Sequence, residues 1–147
     1  MNVAKLMNAI FETLTSDAAL MALLGLTPSS QPLDKERRIV KGYESDTPLT
    51  PAVVPRLYIA IKPGRFGANP YAFEGKFCVE ILHKTQSGAM EIAESVQRLF
   101  HGKYIAYGDF RSLSRCYLAS ANDFATSVTG IRGHEVYYDV DYFVGME

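Results

Sequence analysis

The stretch from Gly133 to Val144 constrains the fold of this chain more than any other. His134, Val136, Tyr138, Val140, Tyr142 and Val144 fall on one parity, and Glu135, Tyr137, Asp139, Asp141 and Phe143 fall on the other. A period of two sends successive side chains to opposite faces of a strand, so one face is apolar and the other mostly polar. The same period starts at Arg56, where Leu57, Ile59 and Ile61 oppose Arg56, Tyr58 and Lys62. It returns from Phe73, where Phe73, Phe77, Val79 and Ile81 oppose Glu74, Lys76 and Glu80. Between these two strands lies Pro63–Pro70, whose glycines and prolines cannot continue a ladder, so the pair reads as a hairpin with a long tip. A further strand is expected over Leu113 to Ser120.

Helical periods flank this material. Val3, Leu6, Met7, Ile10, Phe11 and Leu14 form one buried stripe. Ser16 or Asp17 can cap a short second helix carrying Leu20, Met21, Leu23 and Leu24, with Gly25 as its stop. Ser87 can cap a third, running to about His101, on the stripe Ala89, Ile92, Ala93, Val96, Leu99 and Phe100. Within it Glu94 and Arg98 form an i, i+4 pair.

Gly25 to Pro55 shows neither period. It holds five of the seven prolines and a charged knot, Asp34-Lys-Glu-Arg-Arg38. A structureless connection of this length is uncommon inside a compact domain and is usually functional. The chain therefore reads as one α+β domain. Residues 1–24 are N-terminal helices, 25–55 an extended proline-rich arm, and 56–147 the core. That core is a four-stranded, mainly antiparallel sheet in the order β-β-α-β-β, with helices packed on one face. The elements around the arm look able to fold without it, so deleting Thr27 to Thr50 is expected to leave a folded subunit.

Composition narrows function mainly by exclusion. The 15 Lys and Arg against 16 Asp and Glu argue against tight or sequence-specific nucleic-acid binding driven by phosphate neutralisation. No apolar run suits a signal peptide or a membrane span. Cys78 and Cys116 make no metal spacing and read as reduced, buried thiols. His83, His101 and His134 are scattered, and strand parity sets His134 on the face opposite Asp139 and Asp141. Gly64-Arg-Phe-Gly67 and Gly130-Ile-Arg-Gly133 read as turns rather than phosphate cradles. No catalytic residue, cofactor or metal is expected. Aromatic residues on a polar face or a loop tip, Phe66, Tyr71 and Tyr137 among them, would serve instead as anchors for a partner.

Several passages together carry a resemblance. They are Leu14-Thr-Ser-Asp17 with Leu20-Met-Ala-Leu-Leu-Gly25, Pro55-Arg-Leu-Tyr-Ile59, Phe77-Cys-Val-Glu-Ile81 through Ala93-Glu-Ser-Val96 and Leu99, and His134-Glu-Val-Tyr-Tyr-Asp-Val140. Over most of the chain this layout resembles the tail terminator, or tail completion, proteins of long-tailed bacteriophages. The resemblance implies a virion protein made in the host bacterial cytoplasm. It would form a ring, hexameric in the family, that closes the tail tube and offers the surface to which head-completion proteins join. A closed ring needs two different complementary surfaces on each subunit. On this reading the arm, with Arg37 and Arg38, and the Pro63–Pro70 loop, with Arg65 and Phe66, would reach a neighbour or the tail tube. Glu135, Asp139 and Asp141 would line the lumen. A head–tail connector or minor tail protein is an alternative from the same setting. A ferredoxin-like ligand-binding regulatory module, with the arm as a lid over an apolar pocket, is an alternative of another class. A small hydrolase or transferase lacks motifs to support it.

Overall fold

The computed structural model describes residues 3–43, 45 and 47–143. Four α-helices lie at Val3–Thr15 (α1), Ala18–Leu23 (α2), Pro32–Arg38 (α3) and Gln86–Phe100 (α4). The strands are Ile39–Lys41 (β1), Arg56–Phe66 (β2), Ala72–His83 (β3), Ala106–Tyr107 (β4), Phe110–Arg111 (β5), Tyr117–Ala125 (β6) and Arg132–Phe143 (β7). Val144, expected in the last strand, lies outside the described residues, as do Met1 and Asn2.

The fold is α+β with five strands in the main sheet rather than four, ordered β1-β2-β3-β7-β6. β1 runs parallel to β2, and every other neighbouring pair is antiparallel. The central pair, β3 and β7, matches residue for residue from Ala72–Phe143 to His83–Arg132. Leu57, Ile59, Phe77, Val79, Val136, Tyr138 and Val140 project from one face into the main core. There they meet Leu6, Ile10 and Leu14 of α1, Leu20 and Met21 of α2, and Ile92, Val96 and Phe100 of α4. Phe77 stacks on Tyr138 with centroids 5.4 Å apart, and Phe100 meets Phe77 edge-on at 5.3 Å. Aromatic pairs at such offsets add to their area burial.

Local chemistry sets the helix ends. The Asp17 carboxylate accepts from the Leu20 N–H at 2.9 Å and caps α2, and Gly25 closes that region at φ +75°. Thr85, not Ser87, caps α4, its hydroxyl accepting from the Gly88 N–H at 3.1 Å. The helix starts at Gln86, so Ser87 already lies in its first turn. Arg98 pairs with Asp17 at 2.7 Å rather than with Glu94. The cap of α2 packs against α4, and its carboxylate is the acceptor within reach.

Two strand boundaries depart from the sequence reading. β2 continues to Phe66 because a register shift between Lys62 and Arg65 absorbs Pro63 and Gly64, and a bulge tolerates a residue that cannot donate. The glycine is required there, since a Cβ on Gly64 would come 2.5 Å from the Glu74 carbonyl oxygen. β6 occupies 117–125, not 113–120. The preceding segment is taken up by the β4–β5 hairpin and by single bridges from Ser112 to Tyr142 and from Lys103 to Cys116. As an edge strand exposed on both faces, β6 carries no alternation of burial to mark it.

The largest correction concerns residues 25–55, which are not a free arm. Pro32 starts α3, as suits a residue without an N–H at a first helical position. Ile39 and Val40 are buried, and Ile39, Val40 and Lys41 pair in register with Leu57, Tyr58 and Ile59. Further on, Leu49 and Val54 cross to the sheet face away from the helices and cover Leu82 and Ile131. These anchors are isolated apolar residues, which a search for periodicity passes over.

Candidate assembly surface

Helices cover one face of the sheet, and Tyr43, Leu49 and Val54 cover one end of the other, which leaves a polar tract open. Register places its side chains in rows: Tyr58, Glu80, Glu135 and Asn122; Ala60, Cys78, Tyr137 and Ser120; Lys62, Lys76, Asp139 and Tyr117. Below them, Arg65 and Glu74 neighbour Asp141. Glu135, Asp139 and Asp141, read from the sequence as one strip, do share this face together with Tyr137. They do not stand alone. Lys76 pairs with Asp139 at 3.3 Å, Arg65 with Glu74 at 2.9 Å, and Asn122 donates to Glu135 at 2.8 Å. Five carboxylates (Glu74, Glu80, Glu135, Asp139, Asp141) thus face three cations (Lys62, Arg65, Lys76). Burial, then the neighbouring Glu74 and Asp139, raises the Asp141 pKa. The bulge and these charges frame a half-open depression of about 550 Å³.

At the hairpin end of the sheet the aromatics emerge, Tyr71 beside Phe143 on this face and Phe66 on the opposite, helix-covered face with Phe73. Phe66 is 49% exposed and meets Phe73 edge-on at 5.1 Å. Tyr71 is exposed beside Phe143, with ring centroids 6.4 Å apart. Tyr137 sits elsewhere, half-buried at the middle of the tract, where burial first and then Cys78 and Glu135 push its phenol up to about 12. A second exposed group escaped the sequence reading: Tyr104, Tyr107, Leu113 and Tyr117. Their segment has no regular period, so only their number in an otherwise polar stretch marked them.

Arg37 and Arg38 are not on a free arm either. Both lie at the end of α3, and Arg38 Nη1 donates to the carbonyls of Val53 at 2.9 Å and Pro55 at 3.1 Å. This fastens 37–38 to the approach to β2.

Each of the three histidines has a structural partner. His83 Nδ1 accepts from the Thr85 N–H at 3.2 Å, with burial lowering the His83 pKa. His101 Nδ1 accepts from the Leu118 N–H at 3.0 Å. His134 meets Asp123 at 2.7 Å. That acid was missed because the strand bearing it was placed four residues early. Among the described residues one grouping has the composition of a metal site, Cys78, Glu80 and Glu135, with ligand atoms within 4.8 Å of one another. Burial, then Glu135 and Glu80, push the Cys78 thiol up to about 12. Glu80 accepts from the Tyr43 hydroxyl and Glu135 from Asn122, so the trio reads as a hydrogen-bonded row across the strands. No helix among the described residues is long and apolar enough to cross a membrane.

No protein-family profile and no curated protein matches the sequence. Solved structures do match the fold. A chain from the virion of a native gene transfer agent particle aligns with a TM-score of 0.64 over 93% of this chain and 93% of its own length, at 14% identity. A second solved chain aligns with a TM-score of 0.51 at 18% identity, over 98% of this chain and 96% of that one. At such identities the likeness is one of fold.

Proposed function

We propose that this chain is a structural protein of a phage or phage-like virion. In finer terms, copies of it form a ring at the tail-to-head junction that closes the tail tube and receives the head. The observation that carries this reading is the shared fold, end to end, with a chain of a gene transfer agent virion. The surface supports it. The half-open tract, the aromatics at the hairpin end and the edge strand β6 are features of a chain that completes itself against neighbours. β6 is one of the two edge strands of the main sheet and carries one charged residue, Asp123, in nine. Edge strands are ordinarily guarded by several charges, prolines or covering segments.

Phe66 and Tyr71 are our candidates for the subunit or tube contact, while Tyr137 and Arg65, expected from the sequence to serve there too, lie within the open tract. The open tract, with its excess of carboxylates, is our candidate for the lumen wall, where net negative charge lets DNA pass without adhering. Residues 25–55 act within their own subunit and present Arg37 and Arg38 at its surface. Particles formed without this protein test the reading. Tails of uncontrolled length that lack heads are expected, while normal tails bearing heads would remove the terminator role.

A further inference from the structure

Among the described residues, Arg56 is the largest side chain wholly withdrawn from solvent, 0% exposed at the first position of β2. Its Nε donates to the Arg37 carbonyl at 3.0 Å, and its Nη1 to the Thr47 carbonyl at 2.9 Å and the Tyr58 hydroxyl at 3.3 Å. Every one of these acceptors is neutral. Its Nη2 has no partner among the described residues. Arg38 stands beside it and donates to two more neutral carbonyls. Both guanidinium groups line a half-open pocket of about 310 Å³ between α3 and the segment leading into β2, with Asp34, Ala52 and Val53 at its wall. Asp34 forms no ion pair with either arginine. A buried guanidinium held only by neutral oxygens among the described residues, with both N–H bonds of Nη2 left over, is costly unless an anion completes it.

We infer that this pocket is an oxyanion socket, filled by a single carboxylate from a neighbouring protein chain in the assembled particle. That occupant rests on the assembly reading above, whereas the socket itself does not. A carboxylate fits better than a phosphate on geometry. Arg38 spends only its Nη1 on the two carbonyls, so its Nε–Nη2 edge stays open among the described residues in the bidentate geometry that carboxylates accept, with Arg56 Nη2 beside it. The sequence shows Arg56 only as a polar residue opposite Leu57, and nothing there announces a buried charge.

Acetate is the probe for the socket. At fixed ionic strength, replacing chloride by acetate is expected to raise the melting temperature of the wild-type chain by about 2–5 °C at saturation. It should also shift the Arg56 Nε–Hε resonance. Arg38→Gln, at a half-exposed position, should lose most of both responses, and the wild-type resonance keeps the test open if Arg56→Met fails to fold. No response to acetate would mean the pocket holds only water, and would overturn the socket whether or not the chain assembles. Sulfate or phosphate outcompeting acetate at equal concentration would overturn the carboxylate assignment. Arg38→Gln should also weaken self-association or particle incorporation at least tenfold. A variant that loses acetate binding yet assembles normally would overturn the occupant. Wild-type chain that binds acetate but never assembles would count against the assembly reading alone.

Discussion

Replacing Ile39 by alanine asks whether residues 25–55 belong to the fold or merely hang from it. Ile39 is 0% exposed, pairs with Leu57 in the parallel β1–β2 ladder and lies in the main core. Truncating a fully buried isoleucine to alanine loses its transfer free energy and leaves a cavity, about 2–5 kcal/mol together. Against a total stability of roughly 5–15 kcal/mol for a domain, that is a large fraction. Leu33→Ala, on the neighbouring helix but 50% exposed, should change stability by no more than about 0.5 kcal/mol. Urea denaturation followed by circular dichroism measures both as a shift in midpoint at unchanged slope. Deleting Thr27 to Thr50 removes Ile39, Val40, all three β1–β2 pairs and the Thr47 acceptor of Arg56. Cooperative melting should be lost with it, contrary to what the sequence alone suggests. If Ile39→Ala costs under about 0.5 kcal/mol, or the deletion still melts cooperatively, β1 is not part of the core and the reasoning fails.

Other expectations follow from single contacts. Asp17→Ala should cost about 1–2 kcal/mol, since it removes both a helix cap and the Arg98 pair. Arg98 chiefly holds the Asp17 carboxyl below its usual range, so this stabilisation is full above the unfolded carboxylate pKa. It fades as the pH falls through the lower folded value, and the gap between variant and wild type in pH-resolved melting should close there. Gly64→Ala should cost about 1–3 kcal/mol because the new Cβ meets backbone at Glu74, whereas Gly67→Ala meets only the movable Glu74 side chain and should be mild. Chemical denaturation of the two variants side by side checks the contrast. Burial pushes the thiols of Cys78 and Cys116 up to about 12, so neither should react with a thiol-specific disulfide reagent at pH 8 until denaturant is added.

How much of this was legible in the sequence depended on whether a residue repeats a period. β7 and the paired faces of β2 and β3 alternate because one side meets the helices and the other does not, and α1 and α4 show the stripe that fills that contact. The cap of α2 was readable to within one residue, Ser16 or Asp17, because its chemistry is local. β1 was not, since three residues are too few to display a period and the prolines around them look like breakers. β6 was displaced because an edge strand exposed on both faces need not alternate. Tertiary choices were also hidden: Arg98 turning to Asp17 and His134 finding Asp123 depend on which elements become neighbours. At the candidate surface, the common face of Glu135, Tyr137, Asp139 and Asp141 follows from parity alone. Their interleaving with Lys62, Lys76 and Arg65 needed the register. Arg37 and Arg38 were noticed for their charge, yet the buried partner that gives them meaning, Arg56, sits nineteen and eighteen residues away.

The central claim is that this chain is built into a virion, and copy number in purified particles tests it most directly. Particles purified on a density gradient from the producing strain, quantified by mass spectrometry against the tail-tube protein, should contain this chain in a small, fixed number of copies per tail. An epitope label should appear by electron microscopy at the tail-to-head junction. Intact, head-bearing particles free of the protein would contradict the account.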